Sequence, residues 1–298
     1  MQCLIISVFR NQSITFFLTG VKVKKGGEDH FVGAPMVISG AGFINTFQHM
    51  IKDKKYYPES LFKKVKSGHG AISIFAGLDG TNEELGLKNT NTWAMAETNL
   101  DKGLDEFLET PAEKVGTEDI PLLFISFPST KDPSWDERFP GKSNCTIVTL
   151  GNWEWFKDWE DERVGKRGDE YEDLKTRLAE KAWEQTCRFY PQIKDRRVYF
   201  DVGTPLTNKY YIGSPKGEIY GLDHDLSRFN LLTSAELRPT TSIGGLYLTG
   251  QDISTCGIAG GLYAGLLTAS VIMNRNVMAD LVGCTKATRK LAAQKKDN

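Results

Sequence analysis

Apolar residues recur along this chain with two different periods. Residues 15–39 follow the strand period: "ITFFLTGVKVKK" alternates in its later part, "GGED" is turn chemistry, and "FVGAPMVIS" resumes the apolar run. From about residue 46, strand-like runs at "GAISIFAGL", "LLFISFP", "CTIVTL" and "RVYFDVG" stand between long polar or helical segments. This predicts a largely antiparallel sheet with helices on one side, an α+β layer. The helical period is clearest over 169–190, where Tyr171, Leu174, Leu178, Ala182, Thr186 and Tyr190 share a face. Asp169 and Glu172 have the spacing of a capping box, and the apolar face reads as core. In "NWEWFKDWEDE" the tryptophans among acids predict an amphipathic helix start that buries rings beneath charge.

The most patterned stretch lies near the C-terminus, "GLYLTGQDISTCGIAGGLYAGLLTAS". It predicts a strand at Leu246–Thr249, a turn through Gly250, Gln251 and Asp252, and an uncharged helix opened by Gly257 and Gly260-Gly261. N–H groups at a helix start carry partial positive charge and suit a pyrophosphate or a flavin carbonyl, and glycines admit close approach. Asp252 has the chemistry to accept hydrogen bonds from ribityl or ribose hydroxyls. The Gly261-x-x-x-Gly265 spacing predicts that this helix approaches a neighbour or ligand closely. Gly40-Ala41-Gly42 also follows a predicted strand, but the third glycine of G-x-G-x-x-G falls on Asn45. It reads as a tight strand-to-helix turn.

Composition narrows the function. The 298 residues are 40% hydrophobic and 25% charged with a formal net charge of −1, which gives no general attraction to nucleic acid. The stretch Ile258 to Met273 is shorter than a spanning helix needs, and the first twenty residues lack the basic start and cleavage site of a leader. The five cysteines are scattered and read as buried free thiols. The four histidines stand at no metal-ligand spacing, and Asp223-His224-Asp225 reads as a solvated loop. No G-x-S-x-G elbow or phosphate-binding G-x-x-x-x-G-K-[ST] loop occurs, so hydrolase and kinase chemistry drop away.

Five blocks carry a resemblance: "APMVISGAGFINTFQHM", "PLLFISFPSTKDPSWDERFPGKSN", "WEWFKDWEDERVGKRGDEYEDLK", "TPLTNKYYIGSPKGEIYGLDHDL" and "GLYLTGQDISTCGIAGG". Together, over roughly residues 20–298, they resemble the FAD-dependent oxidoreductase family of phytoene desaturases and carotenoid isomerases. "PSTKDPSWDERFPGKS" with "YGLDHDL" points to its retinol-saturating branch. The resemblance implies an α/β fold in which a Rossmann-type FAD-binding domain is interleaved with an α+β, antiparallel-sheet domain for a polyene. The flavin domain is partial here, because the family's N-terminal G-x-G-x-x-G unit is missing. Drawn onto this sequence, it gives a divergent N-terminus at 1–19 and a flavin-domain remnant at 20–45. The polyene domain follows at 46–238, then a C-terminal flavin segment at 239–275 and a basic tail at 276–298.

The implied cofactor is FAD, with NAD or NADP as electron donor. Gly250, Gln251 and Asp252 would line its middle, and Gly257, Ala259 and Gly260 would face the isoalloxazine. The implied substrate is a small hydrophobic polyene, and neither nucleic acid nor metal takes part. The implied activity is saturation of the 13,14 double bond of all-trans-retinol. A carotenoid-type isomerase using reduced FAD and a catalytically silent fragment are the alternatives. Lys131, Tyr210 and Tyr211 lie in family-like blocks and are candidate proton donors. The ending "KKDN" has the form of a dilysine retrieval signal, implying the endoplasmic reticulum and peripheral membrane association. Asn11-Gln12-Ser13 and Asn144-Cys145-Thr146 are sequons that a lumenal protein would have glycosylated.

Overall fold

The computed structural model describes residues 4–10, 16–51 and 53–294. The chain opens with strands β1 (Leu4–Arg10), β2 (Phe16–Lys25), β3 (Glu28–Gly33) and β4 (Val37–Ser39), a π-helical turn Asn45–Met50 and the short helix α1 (Glu59–Phe62). Strands β5 (Gly70–Asp79) and β6 (Thr92–Met95) and helix α2 (Leu100–Glu109) follow. Next come β7 (Leu122–Ser126), α3 (Trp135–Arg138), β8 (Lys142–Gly151), α4 (Gly168–Phe189), β9 (Arg197–Gly203) and α5 (Pro205–Ile212). The last part carries α6 (Leu231–Glu236), β10 (Ile243–Gly244), β11 (Leu246–Leu248), α7 (Gly257–Met273) and α8 (Val277–Gln294).

Two compact units result. Unit 1 joins Met1–Gly68 to Tyr220–Asn298, and unit 2 is the intervening His69–Ile219. These boundaries differ from the 45/46 and 238/239 junctions read from the sequence. The reason is packing: Phe47, Ile51, Tyr56 and Leu61 on one side, and Leu222 and Leu237 on the other, are buried in one cluster with Phe43, Leu246 and Leu248.

In unit 1, β2 pairs antiparallel with β1 and β3 and parallel with β10. The β2–β3 turn is the predicted one. Lys25 faces Glu28 across Gly26 and Gly27, both at positive φ (62° and 91°), the conformation a two-residue hairpin turn requires. Strands β4 and β11 form a separate parallel pair, Leu246 opposite Val37 and Leu248 opposite Ser39. Beyond β11, Leu248 N–H donates to the Pro239 carbonyl, whereas no strand among the described residues pairs with the outer edge of β4.

Unit 2 holds a five-stranded sheet ordered β6-β7-β8-β5-β9, every neighbour antiparallel. Its inner face (Ile72, Ile74, Leu78, Leu123, Ile125, Ile147) packs in one core with Tyr171, Leu174, Leu178 and Ala182 of α4. The predicted helical face is therefore core. The capping box is not formed: α4 starts one residue earlier, at Gly168 (φ 78°), and no side chain caps it. The Trp-rich stretch is two 3₁₀ turns, Trp153–Trp155 and Lys157–Trp159, and not a helix start. Its rings are still the buried part, with Trp155 against Phe107 and Phe156 against Tyr171.

The basic tail expected from residue 276 is helical as α8 through Gln294, and "KKDN" lies outside the described residues. Cys145 and Cys187 are buried but Cys256 and Cys284 are exposed, so the uniformly buried reading fails for two thiols. Burial pushes the Cys145 thiol up to about 12. Among the described residues no single helix is long and apolar enough to cross a membrane. The bent pair α7 and α8 passes by composition, at an angle of 114°.

Candidate functional site

In unit 1 two strand-turn-helix segments lie side by side. Because β4 and β11 are parallel, the turns that follow them, at Gly40–Gly42 and Gly250–Asp252, leave the same edge of the pair. In parallel sheets that edge, the carboxyl end of the strands, is where ligands bind. The Gly40-Ala41-Gly42 turn, read from sequence as local structure alone, is thus brought beside the Gly250 turn.

Asp252 joins these segments. It is 4% exposed, its Oδ2 accepts the Phe43 N–H at 2.7 Å, and its Oδ1 accepts the Leu222 N–H at 2.8 Å. A Cβ on Gly221 would stand 2.0 Å from Oδ1, so glycine is required there, also for its φ of 68°. Arg228, 2% exposed, works in the opposite sense. Its guanidinium donates to the carbonyls of Leu222 (2.8 Å), Gln251 (2.8 Å) and Asp252 (3.2 Å). A carboxylate that gathers N–H groups and a cation that gathers carbonyls hold the turn from both ends. The His224 ring lies 3.2 Å from the guanidinium, and burial and that cation keep its pKa below the usual imidazole range. The flanking Asp223 and Asp225 both pair with Lys66.

Around this clamp the other turn residues divide. Gly250 (φ 93°) and Gly257 (φ 76°) need positive φ, and a Cβ on Gly257 would meet nothing within 4 Å. The Gln251 side chain accepts the Gly257 N–H at 2.9 Å and so closes the start of α7. Ala259 is exposed, whereas a Cβ on Gly260 would strike the Thr255 carbonyl at 1.6 Å. Gly261 and Gly265, the pair expected to allow close approach, meet nothing within 4 Å. The packed stripe of α7 is instead Gly260, Ala264 and Thr268, and Thr268 Oγ1 donates to the Leu248 carbonyl. Sequence reasoning missed Arg228 because "LSRFN" carries no motif.

In unit 2 the second face of the sheet carries an apolar strip across β6, β7 and β8, bordered by the polar positions Ser73, Ser126, Thr146 and Asp201. Cross-strand pairing puts Trp93 beside Phe124, Phe124 beside Val148, and Met95 beside Leu122. The same pairing carries Phe75 and Tyr199 on this face. Trp93 is 61%, Met95 56%, Tyr199 59% and Phe75 45% exposed. Trp93 and Phe124 meet edge to face at 4.9 Å. Half-exposed aromatic rings gathered at one corner of a sheet face mark a surface that a ligand or another segment can cover.

The three candidate proton donors are not brought together. Tyr210 and Tyr211 are exposed on α5 with their rings 4.9 Å apart, edge to face. Lys131 Nζ donates to Ser126 Oγ at 2.6 Å and to Asn91 Oδ1. Asn144 is half-buried and its Oδ1 accepts the Ser129 N–H, so this sequon is engaged in structure; Asn11 lies outside the described residues. Unit 1 also holds a cavity of about 480 Å³ lined by Phe43, Phe47, Leu61, Leu237 and Leu248, with Glu236 and Arg238 at its rim. Glu236 is paired with Lys64 at 2.5 Å, and no thiol or imidazole lines the cavity, so it offers volume and no reaction centre.

No family model matches the chain. Curated relatives do. Over 270 residues it is 43% identical to the all-trans-retinol 13,14-reductase of Danio rerio, covering 90% of this chain and 44% of that one. It is 40% identical to the Homo sapiens protein of that name over 282 residues, 94% of this chain and 46% of the relative. A Danio rerio protein named inactive all-trans-retinol 13,14-reductase is 35% identical over 266 residues, 88% and 44% of the two chains. Among solved structures, cyclohexylamine oxidase from Brevibacterium oxydans reaches a TM-score of 0.47 at 16% identity, covering 86% of this chain and 46% of that one. Putrescine oxidase reaches 0.49 at 14% identity, covering 91% and 48%. Over nearly all of its own length the chain is similar to all-trans-retinol 13,14-reductases, and it spans slightly under half the length of those relatives.

Proposed function

We propose that this chain forms part of an FAD-dependent oxidoreductase that saturates the 13,14 double bond of all-trans-retinol. The observation that carries the reading is the apolar, aromatic strip on the open face of the unit 2 sheet. A conjugated hydrocarbon suits a flat, aromatic-lined support, and Phe75, Trp93, Phe124 and Val148 supply one on rigid strands.

The residues of unit 1 fit the middle of FAD. Space lies open beside Gly257, and Gly250 and Gly257 stand at positive φ at the carboxyl end of the parallel strands. Gly40–Gly42, Gly250–Asp252, Gly257 and Ala259 would hold it, chiefly through backbone groups. Asp252 already spends both oxygens on N–H groups of the protein, so its first task is to fix Phe43 and Leu222. Gly260 serves by letting the Thr255 carbonyl close against α7. FAD bound there would supply hydride at reduced flavin N5. NAD or NADP as the source of electrons, and a peripheral place on the endoplasmic reticulum membrane through the "KKDN" end, belong to the same proposal.

Within this mechanism the chain's own residues support and orient the polyene and fix the turns that face the cofactor. Reconstitution with FAD followed by product analysis tests the proposal. Dihydroretinol from retinol supports it, whereas a changed cis/trans ratio alone identifies the isomerase. A silent form is favoured by one finding, the similarity to a relative named inactive. Bound flavin without any turnover would select that reading.

A further inference from the structure

We infer that Lys131 grips the hydroxyl of the polyene and so fixes which end of it lies where on the sheet. This rests on the open sheet face being the polyene site. Along β7 the face changes character: Leu122 and Phe124 are apolar, whereas Ser126, on the same side and opposite Thr146, is polar. Leu122 and Ser126 are separated by roughly 13 Å at the rise of a strand. At the polar end stands Lys131, which donates to Ser126 Oγ at 2.6 Å and to Asn91 Oδ1.

An ammonium has three N–H donors and no acceptor. Two of them meet neutral oxygens here, which hold the nitrogen at the end of the apolar strip without cancelling its charge. The neighbouring carboxylate, Asp132, is taken by Arg138 and by the Ser134 N–H and hydroxyl. One donor of Lys131 therefore remains for an oxygen that arrives with a ligand. A retinoid alcohol has one polar group, at one end of a hydrocarbon. Complementarity puts that oxygen at Lys131 and runs the chain past Phe124 and Trp93 toward Leu122 and Met95. The double bond nearest the alcohol is then always held at the same place, which makes Lys131 a determinant of which bond is presented.

The test measures binding of two compounds to the purified chain by retinoid fluorescence: all-trans-retinol, and the hydrocarbon in which hydrogen replaces its hydroxyl. Wild type is expected to bind retinol at least tenfold more tightly than the hydrocarbon. Lys131→Met should bring retinol down to the level of the hydrocarbon and leave the hydrocarbon unchanged, and Lys131→Arg should keep a preference for the alcohol. Equal weakening of both compounds by Lys131→Met, or no effect on either, overturns the inference. Phe124→Lys separates the two readings. If it abolishes binding of both compounds while Lys131→Met alters neither, the sheet is the polyene site and Lys131 is not its anchor. If Phe124→Lys changes nothing, or wild type binds neither compound, the sheet-face proposal falls and this inference with it.

Discussion

Gly221 stands where a single methyl group would collide with the carboxylate that joins three segments of unit 1. At a φ of 68°, Gly221→Ala adds backbone strain to a 2.0 Å contact, and it should destabilise unit 1 by about 2–4 kcal/mol. Gly257→Ala has the same kind of backbone but open space, and should cost only about 1 kcal/mol. Urea unfolding of the two variants makes the comparison. His224 gives a pH prediction. Its folded pKa is depressed below 6.5, by burial first and by Arg228 second, so folding favours the neutral ring. That stability is whole above pH 6.5 and is lost as pH falls through the depressed folded value. The urea midpoint of wild type should therefore drop further than that of His224→Gln between pH 7 and pH 5, and parallel curves would refute it. At this scale the sequence showed Asp252 as a polar residue in a glycine turn. Its partners were hidden, because Phe43 lies 209 residues away and Leu222 lies 30 away, and no local pattern encodes either.

Helix α7 shows why small residues must be judged by facing direction. Gly260, Ala264 and Thr268 recur every four residues and touch the protein, while Gly261 and Gly265 look into open space. Gly260→Ala should shift α7 and lower the urea midpoint of unit 1, whereas Gly261→Ala should match or exceed wild type by removing a helix glycine. Circular dichroism with urea reads both. Strands β5, β7, β8 and β9 were legible as strand-like apolar runs, and β5, β7 and β8 each bury one face. Strand β6 was not, since its four residues alternate too briefly. The end of α4 was legible and its cap was not, because Gly168 begins the helix and moves Asp169 inside the first turn. In the Trp-rich stretch the rings take fixed partners, such as Trp155 Nε1 donating to the Thr110 carbonyl. Those partners, and not helical periodicity, set the backbone there.

Unit 2 is one uninterrupted run of chain with a sheet, a covering helix and a core of its own. His69–Ile219 expressed alone should unfold in a single cooperative transition with dispersed amide resonances. Within it Leu178→Ala, at a fully buried site on α4, should cost about 2–5 kcal/mol. A broad, non-cooperative melt of the excised unit would refute its independence. The sequence made unit 2 legible as a layer of strands and helix. Its true edges depended on which segments are buried with Phe43 and Leu248, which no composition change marks.

The order in which the pieces of unit 1 leave the ribosome follows from the insertion. Val37 and Leu246 are partners in one ladder, as are Phe16 and Ile243, yet all of unit 2 is translated between them. At about 5–20 residues per second, β2 and β4 wait on the order of ten to forty seconds for β10 and β11. Unit 2 is complete before they arrive. The nascent chain is thus a finished sheet domain trailing an unfinished one, with the edges of β2 and β4 exposed to any other chain nearby. Slowing translation after residue 219, or removing nascent-chain chaperones, should reduce the yield of unit 1 far more than that of unit 2.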